Sequence, residues 1–145
     1  MGNSSKSSSR LFAVQILYEM ELSGKSFEVI QKRFSDDSFV ELEKINNQGK
    51  PNKSYIKKLV KGASKNQKKI DDLINKNLKN WKLSRIESLV RSILRISVYE
   101  LIHEENIPKK VIFNEYIEIA KLFFDGDEPS LINAVLDAVS KRAIK

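Results

Sequence analysis

RSILRISVYELIHEENIPKKVIFNEYIEIAKLFFDGDEPSLINAVLD, residues Arg91–Asp137, is the stretch whose reading decides the fold. Its apolar residues recur three and four apart, the spacing that lines one face of an α-helix. Three such patterns follow one another. The first begins just upstream, where Ser84 is placed to cap a helix running to about Glu105. Ile86, Leu89, Val90, Ile93, Leu94, Val98, Leu101 and Ile102 make it the expected central core helix. Pro108 cannot continue a helix but suits the start of one, so a second helix is expected over Lys109–Phe124. Asp125-Gly126-Asp127-Glu128-Pro129 reads as a turn, and a third helix runs from Ser130 to about Ala143.

Outward from this stretch the chain keeps the same period. Ser7–Ser9 can cap a helix from Arg10 to Leu22, with Leu11, Val14, Leu17 and Tyr18 on one face and Gly24 as its stop. Phe27, Ile30 and Phe34 define a shorter helix, and Phe39, Leu42 and Ile45 a weak one within a polar connector, Ser35–Asn52. From Lys53 to Trp81 the apolar residues Ile56, Leu59, Val60, Ala63, Ile70, Leu73, Ile74, Leu78 and Trp81 fall on one side of a helical wheel. A continuous helix there would be about 43 Å long, with a bend expected near Gly62, which costs about 1 kcal/mol relative to Ala. No segment alternates with period two. The fold class is therefore all-α, a bundle of six or seven helices with a flexible tail over residues 1–9 and the folded domain over 10–145.

Charge is unevenly placed along the chain. The formal net charge is +7, yet Lys50–Lys82 alone holds eleven lysines against Asp71 and Asp72, a balance of +9. The flanking segments are each nearly neutral. Lys57, Lys61, Lys65, Lys68, Lys76 and Lys79 lie opposite the apolar face. Clustered lysines attract phosphate by releasing counterions; the plain alternative is the solvated side of an amphipathic helix. Lysine without interleaved arginine or aromatic residues points to affinity more than to sequence reading.

Composition excludes several classes. With 145 residues the chain is one domain by length, able to bury about 68–70% of its unfolded surface. Cysteine is absent, so no disulfide, thiolate metal cluster or cysteine nucleophile exists. No apolar run reaches the roughly 20 residues that span a bilayer, and serine-rich Met1–Arg10 has no signal-peptide core. A soluble cytoplasmic protein without membrane association is expected. His103 is the only histidine, and its neighbours Glu104 and Glu105 do not converge with it on one substrate. Asp125, Asp127 and Glu128 lack the spacing of a calcium loop, and no phosphate-cradling glycine loop is present. Neither catalysis, a metal nor a cofactor is expected.

The order I-L-R-I-x-V-Y-E-L, I-P-x-K-V, N-E-x-I-E-I-A-K and I-N-x-V-L-D within Arg91–Asp137 resembles the NusB family of bacterial transcription antitermination factors. Arg10–Gly24 resembles the family's first helix and Tyr55–Leu78 its middle helix. The resemblance implies two packed three-helix halves. It also implies binding of boxA RNA from ribosomal RNA leaders, together with ribosomal protein S10 (NusE), in the RNA polymerase antitermination complex. A homodimer is a further possibility, since some relatives self-associate.

Residues carried over by the resemblance are Lys6 and Arg10, the remnant of an arginine-rich N-terminus, the acidic loop residue Asp127, and Tyr18 near the same face. With Lys57, Lys61, Lys65 and Lys68 they form the candidate RNA-binding set. Each has a structural alternative: Arg10 flanking a helix start, Asp127 capping a helix, Tyr18 in the core. The family pattern is departed from at Val90, where an acidic residue is usual, and at Leu131-Ile132-Asn133-Ala134, which lacks an aromatic for base stacking. Two rival functions are a helical protein-interaction module and a stand-alone relative of the accessory domain of ribosomal RNA cytosine methyltransferases. Nothing in these 145 residues is expected to bind the methyl donor that the latter's enzyme requires.

Overall fold

The computed structural model describes residues 2–33, 50–78 and 82–143. Among them are seven α-helices and one short 3-10 helix, and no strand. In order these are α1 (Gly2–Ser23), α2 (Phe27–Arg33), α3 (Lys53–Lys65), α4 (Gln67–Lys76), the 3-10 turn Leu83–Arg85, α5 (Ser88–His103), α6 (Lys109–Phe123) and α7 (Glu128–Ala143). The chain divides into two compact units, Met1–Gly62 and Ala63–Lys145. The helix expected around Phe39, Leu42 and Ile45, and the expected placements of Phe34, Lys79 and Trp81, fall outside the described residues.

In the first unit local signals set the helix ends. Gly24 adopts φ 71° and its N–H returns to the Met20 carbonyl at 2.9 Å, a left-handed stop that costs a residue with Cβ far more than glycine. Ser26 then caps α2, its Oγ accepting from the Val29 N–H at 3.3 Å. Asn52 does the same for α3, its Oδ1 accepting from the Tyr55 N–H at 3.1 Å. α1 packs on α2, burying Phe27 and Ile30.

The tail expected over residues 1–9 is instead helical from Gly2, so the division expected at residue 10 falls inside α1. Ser7–Ser9 are not a cap. The Ser9 hydroxyl accepts from the Asn52 N–H at 2.7 Å and donates to the Asn52 carbonyl at 3.3 Å. Ser8, Ser9 and Arg10 are all buried.

The long helix expected from Lys53 to Trp81 is two helices. The break lies at Asn66 (φ −105°, ψ 17°), not at Gly62, and α4 ends at Asn77. Beyond it the Asn77 side chain donates to the Leu73 carbonyl at 2.8 Å, and Asn75 Oδ1 accepts from the Leu83 N–H at 2.9 Å. The first satisfies a carbonyl of the last turn of α4, and the second satisfies the first N–H of the following 3-10 turn.

In the second unit α5 is the centre, packing against α4, α6 and α7. Residues 92–101 are buried on every side, as expected for a helix with neighbours all round. α5 starts later than Ser84, however. Leu83–Arg85 is a 3-10 turn, Ile86 and Glu87 are extended, and Glu87 accepts from the Val90 N–H to cap α5. Arg91 holds this lead-in to the helix: its Nη1 donates to the Ile86 carbonyl at 2.7 Å and the Leu83 carbonyl at 3.2 Å. α6 begins at Lys109 behind Pro108, as the sequence predicts.

Three polar groups on α5 are buried and partnered. Arg95 forms a two-pronged pair with Asp71 of α4, Nε to Oδ1 at 2.8 Å and Nη2 to Oδ2 at 2.9 Å. Glu100, fully buried, accepts from the Tyr116 hydroxyl of α6 at 2.6 Å. Ser97 donates to the Leu94 carbonyl at 3.1 Å. A fork-on-carboxylate geometry fixes orientation as well as contact, so Arg95 sets how α4 lies along α5.

Candidate nucleic-acid interface

On the first unit the lysines are arranged by α1 and α3. Lys57 and Lys61 follow one another at a four-residue step along α3, both exposed. They are not equivalent. Lys61 pairs with Glu28 of α2 at 2.5 Å and lies 5.5 Å from the Phe27 ring centroid. The ammonium of Lys61 donating to Glu28 holds that carboxyl below the usual carboxylate range, helped by a backbone N–H bond and by the charge of Lys57. The positive charge that Lys61 brings to this face is thus answered locally. Lys57 has no ion pair among the described residues.

Lys6 and Arg10, expected at the edge of a flexible tail, are both helical residues. Lys6 is half-buried, with its ammonium 5.2 Å from the Tyr55 ring centroid, while Lys58 approaches the same ring at 5.9 Å. Two cations over one largely buried aromatic ring are a positively charged patch. Arg10 is only 2% exposed and interacts within the chain, so its guanidinium is turned inward rather than presented to a polyanion. Tyr18 is half-buried on α1, between a core position and a surface one.

On the second unit, Lys68 is exposed at the start of α4, and Lys65 at the end of α3; neither has an ion pair among the described residues. Asp127 immediately precedes α7, and its carbonyl accepts from the Leu131 N–H at 3.0 Å. Asp127 is exposed and lies on the rim of a groove of about 410 Å³. Ile86, Val90 and Leu131 line this groove with Arg85, Glu87 and Glu128. Glu128 Oε1 is buried without a hydrogen-bond partner among the described residues, and a Cβ on Gly126 would come within 2.9 Å of it. Gly126 leaves room there for the Glu128 side chain, which folds back over it.

A mostly apolar groove with a few carboxylates and one arginine at its edge has the chemistry of a base site. Its acceptors suit amino groups, and its floor suits the face of a ring. Arg85 and Glu87 do not stand out in the sequence, because their relation to Asp127 is made by the extended segment that leads into α5. Leu131 and Val90, both noted in the sequence as departures from the family pattern and Val90 also as a core-helix residue, form the floor.

His103 stacks on Tyr99 at 4.4 Å between ring centroids, with Nδ1 donating to the Tyr99 carbonyl at 3.1 Å. Among the described residues no group of three or more acidic or histidine side chains is placed to hold a metal ion. No described helix is long and apolar enough to cross a membrane.

Comparison with known proteins places the chain in a family. The model of the NusB family matches residues 7–141. A transcription antitermination protein NusB of Sinorhizobium fredii is 39% identical over 138 residues, covering 94% of this chain and 86% of the relative. One of Caulobacter vibrioides is 38% identical, covering 95% and 93%. Among solved structures, T. maritima NusB superposes with a TM-score of 0.76 at 28% identity, over 92% of this chain and 88% of that one. Antitermination factors NusB and NusE in complex with double-stranded RNA include a chain similar at TM-score 0.76 and 26% identity, over 98% and 99%. With a family model spanning nearly all of its length and relatives above one-third identity, the chain belongs to the NusB family.

Proposed function

We propose that this chain is a transcription antitermination factor that binds boxA RNA together with ribosomal protein S10 (NusE) within the RNA polymerase antitermination complex. The observation that carries it is the near full-length likeness to a NusB solved with NusE and RNA. Within this chain, two features fit the role: a face of exposed lysines and an apolar groove rimmed by Asp127. The lysines Lys6, Lys57, Lys65 and Lys68 attract phosphate, Lys61 less so because Glu28 already answers its charge, and the groove takes a base beside Asp127. Tyr18 offers a half-exposed ring, and Arg10 serves from inside by holding α1. The protein acts by binding rather than by catalysis, in the cytoplasm where RNA polymerase works.

The test is a three-component assay. Labelled boxA RNA is titrated with the full chain, with and without NusE, at two salt concentrations. Weak binding alone and tighter binding with NusE are expected. Equal affinity with and without NusE removes the cooperative half of the reading, and no binding to either ligand sinks it.

A further inference from the structure

The second unit carries another groove that shares no residue with the one at Asp127. It lies between α4 and the C-terminal end of α5, has a volume of about 380 Å³, and is lined by Asn66, Lys69, Ile70, Asp72, Leu73, Lys76, Ile102 and His103. Measured along α5 from Val90, which lines the first, to Ile102, which lines the second, the two grooves are about 18 Å apart at 1.5 Å per residue.

Four features define the chemistry of this groove. Its floor is apolar, made by Ile70, Leu73 and Ile102. Lys69 and Lys76 stand two turns apart on the same face of α4, about 10 Å along the axis, both exposed and without an ion pair among the described residues. Between them Asp72, also exposed, supplies a carboxylate acceptor. His103 closes one side. A carbonyl can only accept, so the Nδ1 facing Tyr99 carries the proton and Nε2 is left as an acceptor when the ring is neutral.

A bare anion would satisfy the lysines but meet Asp72 as a like charge. A whole nucleotide satisfies all of them. Its phosphate meets lysine, its sugar hydroxyl or base amino group donates to Asp72 or His103, and its ring lies on the aliphatic floor. We propose that this groove binds a nucleotide of single-stranded RNA, a second RNA contact that extends the footprint beyond the groove at Asp127. The inference rests on the proposed RNA-binding function and adds a site to it.

His103 is the only histidine in the chain, so its imidazole Cε1–H gives a single proton resonance that reports on the groove. The full-length protein is titrated at fixed pH with cytidine 5′-monophosphate, with inorganic phosphate, and with boxA RNA, while RNA binding is followed independently by fluorescence anisotropy. Cytidine monophosphate is expected to shift the resonance saturably, and phosphate to shift it less at equal concentration. The exposed pair K69Q/K76Q should keep the thermal midpoint and weaken nucleotide binding by about tenfold, through removal of charge-assisted contacts. A resonance that does not respond to the nucleotide, an equal response to phosphate, or an unchanged affinity in K69Q/K76Q overturns the proposal. If boxA RNA binds by anisotropy and His103 stays still, the groove is off the RNA path and the proposal falls while the function stands. If the nucleotide binds here and boxA RNA binds nowhere, the groove takes free nucleotides only, and the second RNA contact falls together with the proposed function.

Discussion

Replacing lysines on the charged face gives a prediction whose size follows from the structure. Removing one lysine–phosphate pairing from a complex with single-stranded RNA should flatten the slope of log K against log salt by about 0.7. Lys57, Lys65 and Lys68 are exposed and have no ion pair among the described residues, so the triple variant K57Q/K65Q/K68Q should flatten the slope by up to about 2. Lys61 is different, since Glu28 already partners it and its ammonium lies 5.5 Å from the Phe27 ring centroid. K61Q should therefore change the slope by less than any one of the other three. The assay is fluorescence anisotropy with boxA and scrambled RNA over a series of salt concentrations. Both RNAs should weaken together, because phosphate contacts carry no sequence information. An unchanged slope in the triple variant would mean that these lysines only solubilise the helices. A K61Q effect as large as the others would refute the local neutralisation by Glu28.

Three further outcomes are expected. Glu28→Gln frees Lys61 and should tighten RNA binding modestly with a steeper salt slope. Because the Glu28 carboxyl is held below its usual range, the pair is intact above that range and is broken as pH falls through the lowered value. Wild-type affinity should therefore gain on acidification an increment that Glu28→Gln lacks, and parallel pH profiles would contradict this. Asp71→Ala leaves the largely buried Arg95 guanidinium without its carboxylate and should cost about 2–4 kcal/mol in urea denaturation; a cost under about 1 kcal/mol, the scale of an exposed pair, would show that the fork does not set α4 against α5. Asp127→Asn should alter the ratio of boxA to scrambled RNA affinity while the thermal midpoint stays put; an unchanged ratio removes Asp127 from the site.

The sequence by itself determined the helices, because their signals are local. Apolar spacing of three and four residues, Pro108 before α6, Gly24 after α1 and the acidic turn before α7 each act within one or two turns of backbone. The order of motifs from Arg91 to Asp137 likewise marked the family, since it lies in the chain and not in its packing. Where a helix is extended or broken by a remote partner, local reading failed. Ser7–Ser9 look like a cap, yet Asn52, 43 positions from Ser9 in the chain, takes that hydroxyl, and the helix runs back to Gly2. Ser84 looks like a cap too, until Arg91 draws in the carbonyls before α5, which starts only at Ser88.

The site was less legible than the fold for a related reason. A lysine or arginine code letter states a charge but not its neighbours. Arg10 is buried, Lys61 is answered by Glu28, and Lys57, Lys65 and Lys68 stand exposed, although all five read alike as basic residues. Asp127 could be placed in a loop from sequence, but its groove needed Ile86 and Val90 to arrive from the start of α5 and Leu131 from α7. Periodicity decides which face of a helix is apolar; only tertiary packing decides which polar groups are answered, because that depends on what the other helices bring to them.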